Sequence, residues 1–319
     1  MQKRWDKGEK HLAEFTTLAR IGSSISSRLM SIINQRKVID ESNIHATAPE
    51  GALLLAATRP EVERINNEAY KYLCNNLQRD HITIWAYHTR GKKGEFDYEA
   101  RLNALKKRPV EGSDHSYKWL GSFRNVMSLA IGSRVRYLMN KCPMASLYQG
   151  SLGTVVGFGL PPGRTIDDYR MKRNGKWCDM DIETAARRNL EVPLVYVQMD
   201  KKDGFTSAWA DTPGVICFKA EQTKNGVNGH PRFMLPLLPA HARTFHAAQG
   251  ITAFNGVVLF KPARKVFALM YVGISRIKTL SKLFLMKSLS QEDFQSGGTT
   301  FSDIEREMER LRGLRCRIV

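Results

Sequence analysis

Residues 53–70 read LLLAATRPEVERINNEAY, and this stretch decides the fold class. Leu53-Leu54-Leu55-Ala56-Ala57 is a short apolar run without alternation. Such a run reads as a strand buried on both faces, the condition of a parallel strand with helices on either side. Thr58-Arg59-Pro60-Glu61 follows at once. Thr58 can accept a bond from an early helical N–H, Pro60 suits a first turn, and Glu61 completes a capping box. Val62, Ile65, Ala69, Leu73 and Leu77 then recur on one helical face. Strand, cap and amphipathic helix form the repeating unit of α/β layers.

Toward the N-terminus, residues 1–39 are polar and basic, with helices predicted around His11–Arg20 and Ile25–Ile33. Toward the C-terminus, residues 87–130 read as a loop-rich basic connection containing Arg90-Gly91-Lys92-Lys93 and Lys106-Lys107-Arg108-Pro109. From Gly132 the texture changes to short strands between glycines: Arg134–Leu138, Gly153–Gly157, Leu194–Val197 and Gly214–Phe218. That spacing predicts a small antiparallel barrel or sheet, with the polar run 164–190 as a surface excursion. The α/β texture returns at Phe233–Leu238. A helix is expected over Ala240–Gln249, a buried strand at Val257–Phe260, a helix over about Val266–Ile277 and a last strand at Leu283–Leu285. Ser302 and Glu305 open a final helix, with Ile304, Met308 and Leu311 on one face.

The charge narrows the partners. Lys and Arg number 49 against 31 Asp and Glu, a net charge of +18 and a pI near 9.8. Basic side chains on phosphates release condensed counterions, so a polyanion is the expected partner; a solvated basic surface is the alternative. No segment approaches 18 consecutive apolar residues, and no membrane partner is expected. Five scattered cysteines without a CxxC pair point to a reduced intracellular protein. His241 and His246 are five apart, which does not put them on one helical face, so no metal site is expected.

Four segments, in one order, resemble DNA helicases of the Pif/RecD type. Leu53–Tyr70 is similar to the strand and helix that open the family's second RecA-like domain, with its Ile65-Asn66 pair. Ile131–Gly157 is similar to the stretch leading to "NGxxGxV", here with Gln149 in place of the Asn. Ala242–Phe260, ARTFHAAQGITAFNGVVLF, resembles motif V, usually "TxHKxQGxT". Tyr271–Lys278, YVGISRIK, resembles motif VI, usually "YVAxSRxx". Trp5–Gln35 is similar to the segment after motif III, so the resemblance covers nearly the whole chain. It implies an α/β fold: a RecA-like second helicase domain over 46–130 and 233–292, a tail of the first domain over 1–45, an inserted small β-barrel over 131–232 and a C-terminal helix over 293–319. In relatives the barrel resembles a Src-homology-three fold and helps hold single-stranded DNA.

The resemblance also assigns residues. Arg276, expected late on the motif VI helix, would place a planar guanidinium on a γ-phosphate as a catalytic arginine finger; a surface helical arginine is the plain alternative. Gln249 and Gly250 would bind nucleotide, the glycine supplying a left-handed turn. Thr244 and His246 would touch the DNA backbone or relay between sites, although a satisfied structural histidine fits His246 equally. Arg134 and Arg136, with Tyr137 and the aromatic-basic run Lys118, Trp119, Phe123 and Arg124, can line a single-strand path; a solvated loop before a core strand is the other account. Ala247-Ala248 removes the usual basic residue of motif V.

No GxxxxGK[ST] occurs in the sequence. Backbone cradling of phosphates and the P-loop lysine are therefore missing. Val38–Ser42 imitates a Walker B strand, but only two apolar residues precede Asp40, so a polar turn is expected. ATP and Mg²⁺ are thus implied for an intact enzyme, and none for this chain alone. The partners implied are single-stranded DNA and a partner chain or N-terminal half carrying the P-loop, in the setting of DNA repair or recombination. The alternatives are a split or truncated helicase half, a fragment, or a degenerate helicase kept as a non-catalytic nucleic-acid-binding or regulatory module.

Overall fold

The computed structural model describes residues 6, 8–36, 39–40, 44–88, 97–106, 124–140, 147–200, 212–222, 232–262, 269–294 and 310. Along the chain these form α1 (Lys10–Ile21), α2 (Ser27–Asn34), α3 (Ile44–Thr47), β1 (Leu53–Ala56), α4 (Arg59–Asn75), β2 (His81–Trp85), β3 (Tyr87–His88) and α5 (Tyr98–Lys106). Then come β4 (Val126–Ala130), β5 (Arg134–Tyr137), β6 (Leu152–Gly159), β7 (Met171–Arg173), β8 (Lys176–Cys178), α6 (Ile182–Arg188), β9 (Leu194–Met199), β10 (Val215–Phe218) and β11 (Glu221–Gln222). The last elements are β12 (Arg232–Met234), β13 (Leu237–Pro239), β14 (Ala242–Thr244), β15 (Val257–Leu259), α7 (Leu269–Ile274) and β16 (Leu283–Leu285). They divide into two compact units, Met1–Asn66 with His241–Val319, and Asn67–Ala240.

The first unit is the expected α/β layer. Its sheet has four parallel strands in the order β14-β1-β15-β16. Alternate residues of each strand serve opposite faces. Leu53, Leu55, Val257, Leu259, Leu283 and Leu285 pack with Leu12, Phe15, Leu29, Ile33, Met270 and Ile274 from α1, α2 and α7. Leu54, Ala56, Ala242 and Val258 pack instead with Ile44 and Ile65 from α3 and α4. Burial on both faces explains the unbroken apolar run of β1. At the head of α4, Glu61 N–H donates to Thr58 Oγ1 at 3.4 Å, and the Glu61 carboxylate accepts from Ala57 N–H at 3.2 Å, one residue earlier than a strict capping box. Amide side chains tie distant segments together. Leu289 N–H donates to Asn34 Oδ1, and Asn34 Nδ2 to Leu289 O, both at 2.8 Å. Gln291 does the same for residues 23–25: Ile25 N–H donates to its Oε1 at 2.9 Å and its Nε2 donates to Ser23 O at 3.1 Å.

The second unit is built on antiparallel pairs. Five strands run in the order β10-β9-β6-β5-β13, β2 pairs with β4, and β11-β12-β3 form a small sheet. Among the described residues β10 and β13 are the outer strands of the five-stranded sheet. Its core joins Ile82, Ile84 and Leu129 to Val135, Val155 and Val197.

Several expectations change. Residues 67–130 and Phe233–Leu238 were assigned to the α/β layer, yet both belong to the second unit. The reason is pairing: His81–Trp85 lies antiparallel to Val126–Ala130, and Leu237 pairs antiparallel with Tyr137. The run 164–190 is more than an excursion, since Tyr169, Met180, Ala185 and Ala186 enter the core. Among the described residues the motif VI helix is shorter than expected, Leu269–Ile274. Ile39 is buried and Asp40 exposed. Val38, Glu41 and Ser42, the segments 90–93 and 107–109, Lys118, Trp119, Phe123 and the helix expected from Ser302 lie outside the described residues.

Candidate functional site

The motif V segment starts as a strand where a helix over Ala240–Gln249 was expected. Ala242, Arg243 and Thr244 pair in parallel with Leu54, Leu55 and Ala56. Asn66, only 7% exposed, clamps this strand from α4: Ala242 N–H donates to Asn66 Oδ1 at 2.8 Å, and Asn66 Nδ2 reaches Ala242 O at 3.5 Å. The Ile65-Asn66 pair thus has two jobs, with Ile65 filling the core and Asn66 setting the position of the motif strand. Pairing with β1 and this clamp satisfy backbone groups that a helix would have satisfied locally, and tertiary burial overrides alanine's helical preference.

After β14 the chain turns sharply. Thr244 Oγ1 accepts from Ala247 N–H at 3.2 Å, closing a 3₁₀ turn over His246–Ala248. Phe245 and Ala248 are fully buried and anchor the turn. That leaves His246, Ala247, Gln249 and Gly250 exposed on its outer side. Gly250 has φ +85°, and a Cβ there would meet nothing within 4 Å, so backbone conformation and not crowding calls for glycine.

Motif VI is packed against this turn. A Cβ on Gly273 would lie 2.5 Å from Leu259 Cδ2 and 2.7 Å from Phe245 Cε1, so α7 sits on β15 and Phe245 only because residue 273 lacks a side chain. This explains the departure from the alanine usual there. The helix ends at Ile274, and Arg276 lies in the turn beyond it. Its guanidinium folds back. Nε donates to Val272 O at 2.9 Å and Nη2 to Ser275 Oγ at 2.7 Å, while Nη1 reaches Ala248 O and Ile251 O at 3.5 Å. Ala253 N–H in turn donates to Arg276 O at 2.9 Å. Arg276 is 8% exposed. The structure therefore brings Arg276 together with the two residues that flank Gln249-Gly250, across 25 or more positions of sequence.

No protein-family model matches the chain, and no curated protein matches its sequence. Solved structures match at the level of the fold. Pif1 helicase from Candida albicans aligns with 95% of this chain and 58% of its own, at TM-score 0.59 and 18% identity. Bacteroides Pif1 bound to ssDNA aligns with 96% of this chain and 55% of its own, at TM-score 0.56 and 16% identity. Bacteroides Pif1 in complex with ADP-AlF3 and ssDNA gives TM-score 0.53 and 16% identity over 96% of this chain and 55% of its own. The chain has the fold of Pif1 helicases. It spans between half and three-fifths of the length of these Pif1 structures.

The remaining candidate residues of this Pif1-like chain fall elsewhere. Arg134 and Arg136 lie on β5 in the second unit, on the face away from the buried Val135 and Tyr137. Arg134 grips Asp200 with both terminal nitrogens, at 2.6 and 2.5 Å, and also donates to Thr154 Oγ1 at 2.9 Å. Its charge is thus matched within the sheet. Among the described residues no group of three His, Cys, Asp or Glu could hold a metal ion, and no helix is long and apolar enough to cross a membrane. Asn66 and Gly273 are the residues whose roles the sequence concealed. Asn66 stood inside a quoted motif, and Gly273 at a position where the motif differs.

Proposed function

We propose that this chain is the C-terminal part of an ATP-dependent DNA helicase, and that it contributes an arginine finger and part of the single-stranded DNA path. The observation that carries this is the placement of Arg276 against the motif V turn, on a fold shared with Pif1 helicases. The carbonyls that hold the guanidinium carry only partial charge, so a phosphate oxygen is a stronger acceptor for the same donors. Gln249 and Gly250, exposed beside it, would face the nucleotide. Thr244 and His246, at the carboxyl end of β14, would face the DNA backbone, with Arg134 and Arg136 as further contacts.

The residues present fit one side of a nucleotide site only. An arginine and exposed backbone can meet a γ-phosphate, but the P-loop lysine and Walker B acid must come from a partner chain or an N-terminal half. ATP with Mg²⁺ would supply the phosphoryl group and neutralise its charge there. Arg276 would add a guanidinium whose stabilisation grows as charge spreads over the γ-phosphate oxygens. The second reading, a non-catalytic nucleic-acid-binding module, draws on Ala247 in place of the usual basic residue and on the Asp200 partner of Arg134.

The test is steady-state ATPase and DNA binding on the chain reconstituted with a P-loop-bearing half. Arg276→Ala should lower turnover by about 10³ with little change in DNA affinity, and Arg276→Lys should rescue poorly. Melting curves separate this from structural damage. Near-normal turnover in a folded Arg276→Ala variant rules the finger out, whereas no turnover in the reconstituted wild type favours the non-catalytic reading.

A further inference from the structure

Arg134, Thr154 and Gln198 stand side by side on three adjacent strands. Arg134 on β5 is in register with Thr154 on β6, and Thr154 with Gln198 on β9. Residues opposite one another on paired strands share a face, here the one away from the buried Val135, Val155 and Val197. The row is rich in donors. Arg134 brings a planar fork, and the Gln198 amide nitrogen is buried without an acceptor among the described residues. A buried donor left unpaired is costly, so the row is suited to an incoming acceptor.

One acceptor is built in. Asp200, just past the end of β9, takes both terminal nitrogens of Arg134, at 2.6 and 2.5 Å. Its backbone is tied to β6, since Asp200 N–H donates to Leu152 O at 3.0 Å. Two oxygens of one anion on the end of a guanidinium is also how a phosphate binds arginine. The Arg134 side chain is 15% exposed and that of Asp200 44%. Ion pairs open to water on one side contribute little net stability, so a second anion can displace the first at small cost. We infer that Asp200 is a built-in competitor for nucleic acid: its carboxylate holds the Arg134 guanidinium until a phosphate of a single strand takes its place, with Gln198 as a second donor on the row. The inference rests on the DNA contact proposed above for Arg134. Exchanging one anion for another keeps the fork ordered and never strands its charge. It also keeps the phosphate contact weak enough to be released as a strand slides.

The experiment uses the full chain and a fluorescein-labelled oligothymidine, with anisotropy titrations at several salt concentrations. Asp200→Asn should tighten binding about threefold to fivefold. It should also steepen the dependence of log affinity on log salt by up to about 0.7, the value of one single-strand phosphate. Asparagine is isosteric with aspartate, so an unchanged melting temperature is expected. Arg134→Ala should weaken binding, and adding Asp200→Asn to it should recover almost nothing, because the competitor acts through that guanidinium. Glu183→Gln removes an exposed acidic charge from α6 and measures the effect of net charge alone. Equal tightening by Asp200→Asn and Glu183→Gln, or equal tightening by Asp200→Asn with and without Arg134, overturns the inference. The two readings fail separately. Unchanged affinity in Arg134→Ala removes the DNA contact itself. Weakened binding in Arg134→Ala beside wild-type affinity and salt slope in Asp200→Asn keeps the contact and removes the competition.

Discussion

Replacing Gly273 with alanine sets two effects of similar size against each other. Glycine inside a helix is about 1 kcal/mol worse than alanine, so propensity alone predicts stabilisation. Packing predicts the reverse. The new methyl would stand 2.5 Å from Leu259 Cδ2 and 2.7 Å from Phe245 Cε1. Leu259 is 2% exposed and Phe245 fully buried, so neither side chain can swing into solvent. Overpacking of this kind costs about 1–3 kcal/mol, and a net loss of about 1 kcal/mol is expected after the helical gain. The displacement also has a direction. Moving α7 carries Val272 O away from Arg276, and moving Phe245 disturbs the turn whose Ala248 N–H it accepts at 3.1 Å. Urea unfolding followed by circular dichroism measures the loss. Leu259→Ala alone should cost about 2–5 kcal/mol through its cavity. Combined with Gly273→Ala it should cost clearly less than the sum, because the added methyl enters that cavity. Stabilisation by Gly273→Ala, or strict additivity of the pair, would refute the close approach of α7 to β15.

Two further outcomes follow from buried polar groups. Asn66→Ala removes both bonds to Ala242 and strands its N–H inside the unit, so it should destabilise by about 2 kcal/mol in the same unfolding assay; an effect within a few tenths would show that β14 does not depend on the clamp. Burial pushes the Cys74 thiol up to about 11, with the Tyr70 hydrogen bond opposing and Asp179 adding to the rise. The thiolate is the nucleophile and the thiol is what burial favours, so alkylation of Cys74 by iodoacetamide at pH 8 should be about a hundredfold slower than for an ordinary thiol and should climb until about pH 11. Peptide mass spectrometry against a model thiol checks this, and equal rates at pH 8 would contradict it.

What could be read from the residues alone depended on whether the decisive partner was near in sequence. β1 was legible because a strand buried on both faces needs apolar residues at every position, and Leu53–Ala57 supplies them locally. α4 was legible because its cap and its apolar face lie within one stretch. β14 was not. ARTFHAAQG has the composition of a helix, and it becomes a strand through β1 and Asn66, the latter 176 positions away. Phe233–Leu238 reads as one apolar strand, yet the chain divides it between β12 and β13, whose antiparallel partners Tyr87 and Tyr137 lie far back in the sequence, and nothing in six residues tells where the run breaks or a parallel from an antiparallel neighbour. The same limit governs the candidate site. Arg134 resembles a free DNA contact until Asp200 is brought beside it from 66 positions away. Arg276 is named by its motif, but the carbonyls that hold it come from Ala248 and Ile251, which the motif treats as filler. Motifs therefore identify the residues of a site, while their availability for chemistry is decided by neighbours that only the fold supplies.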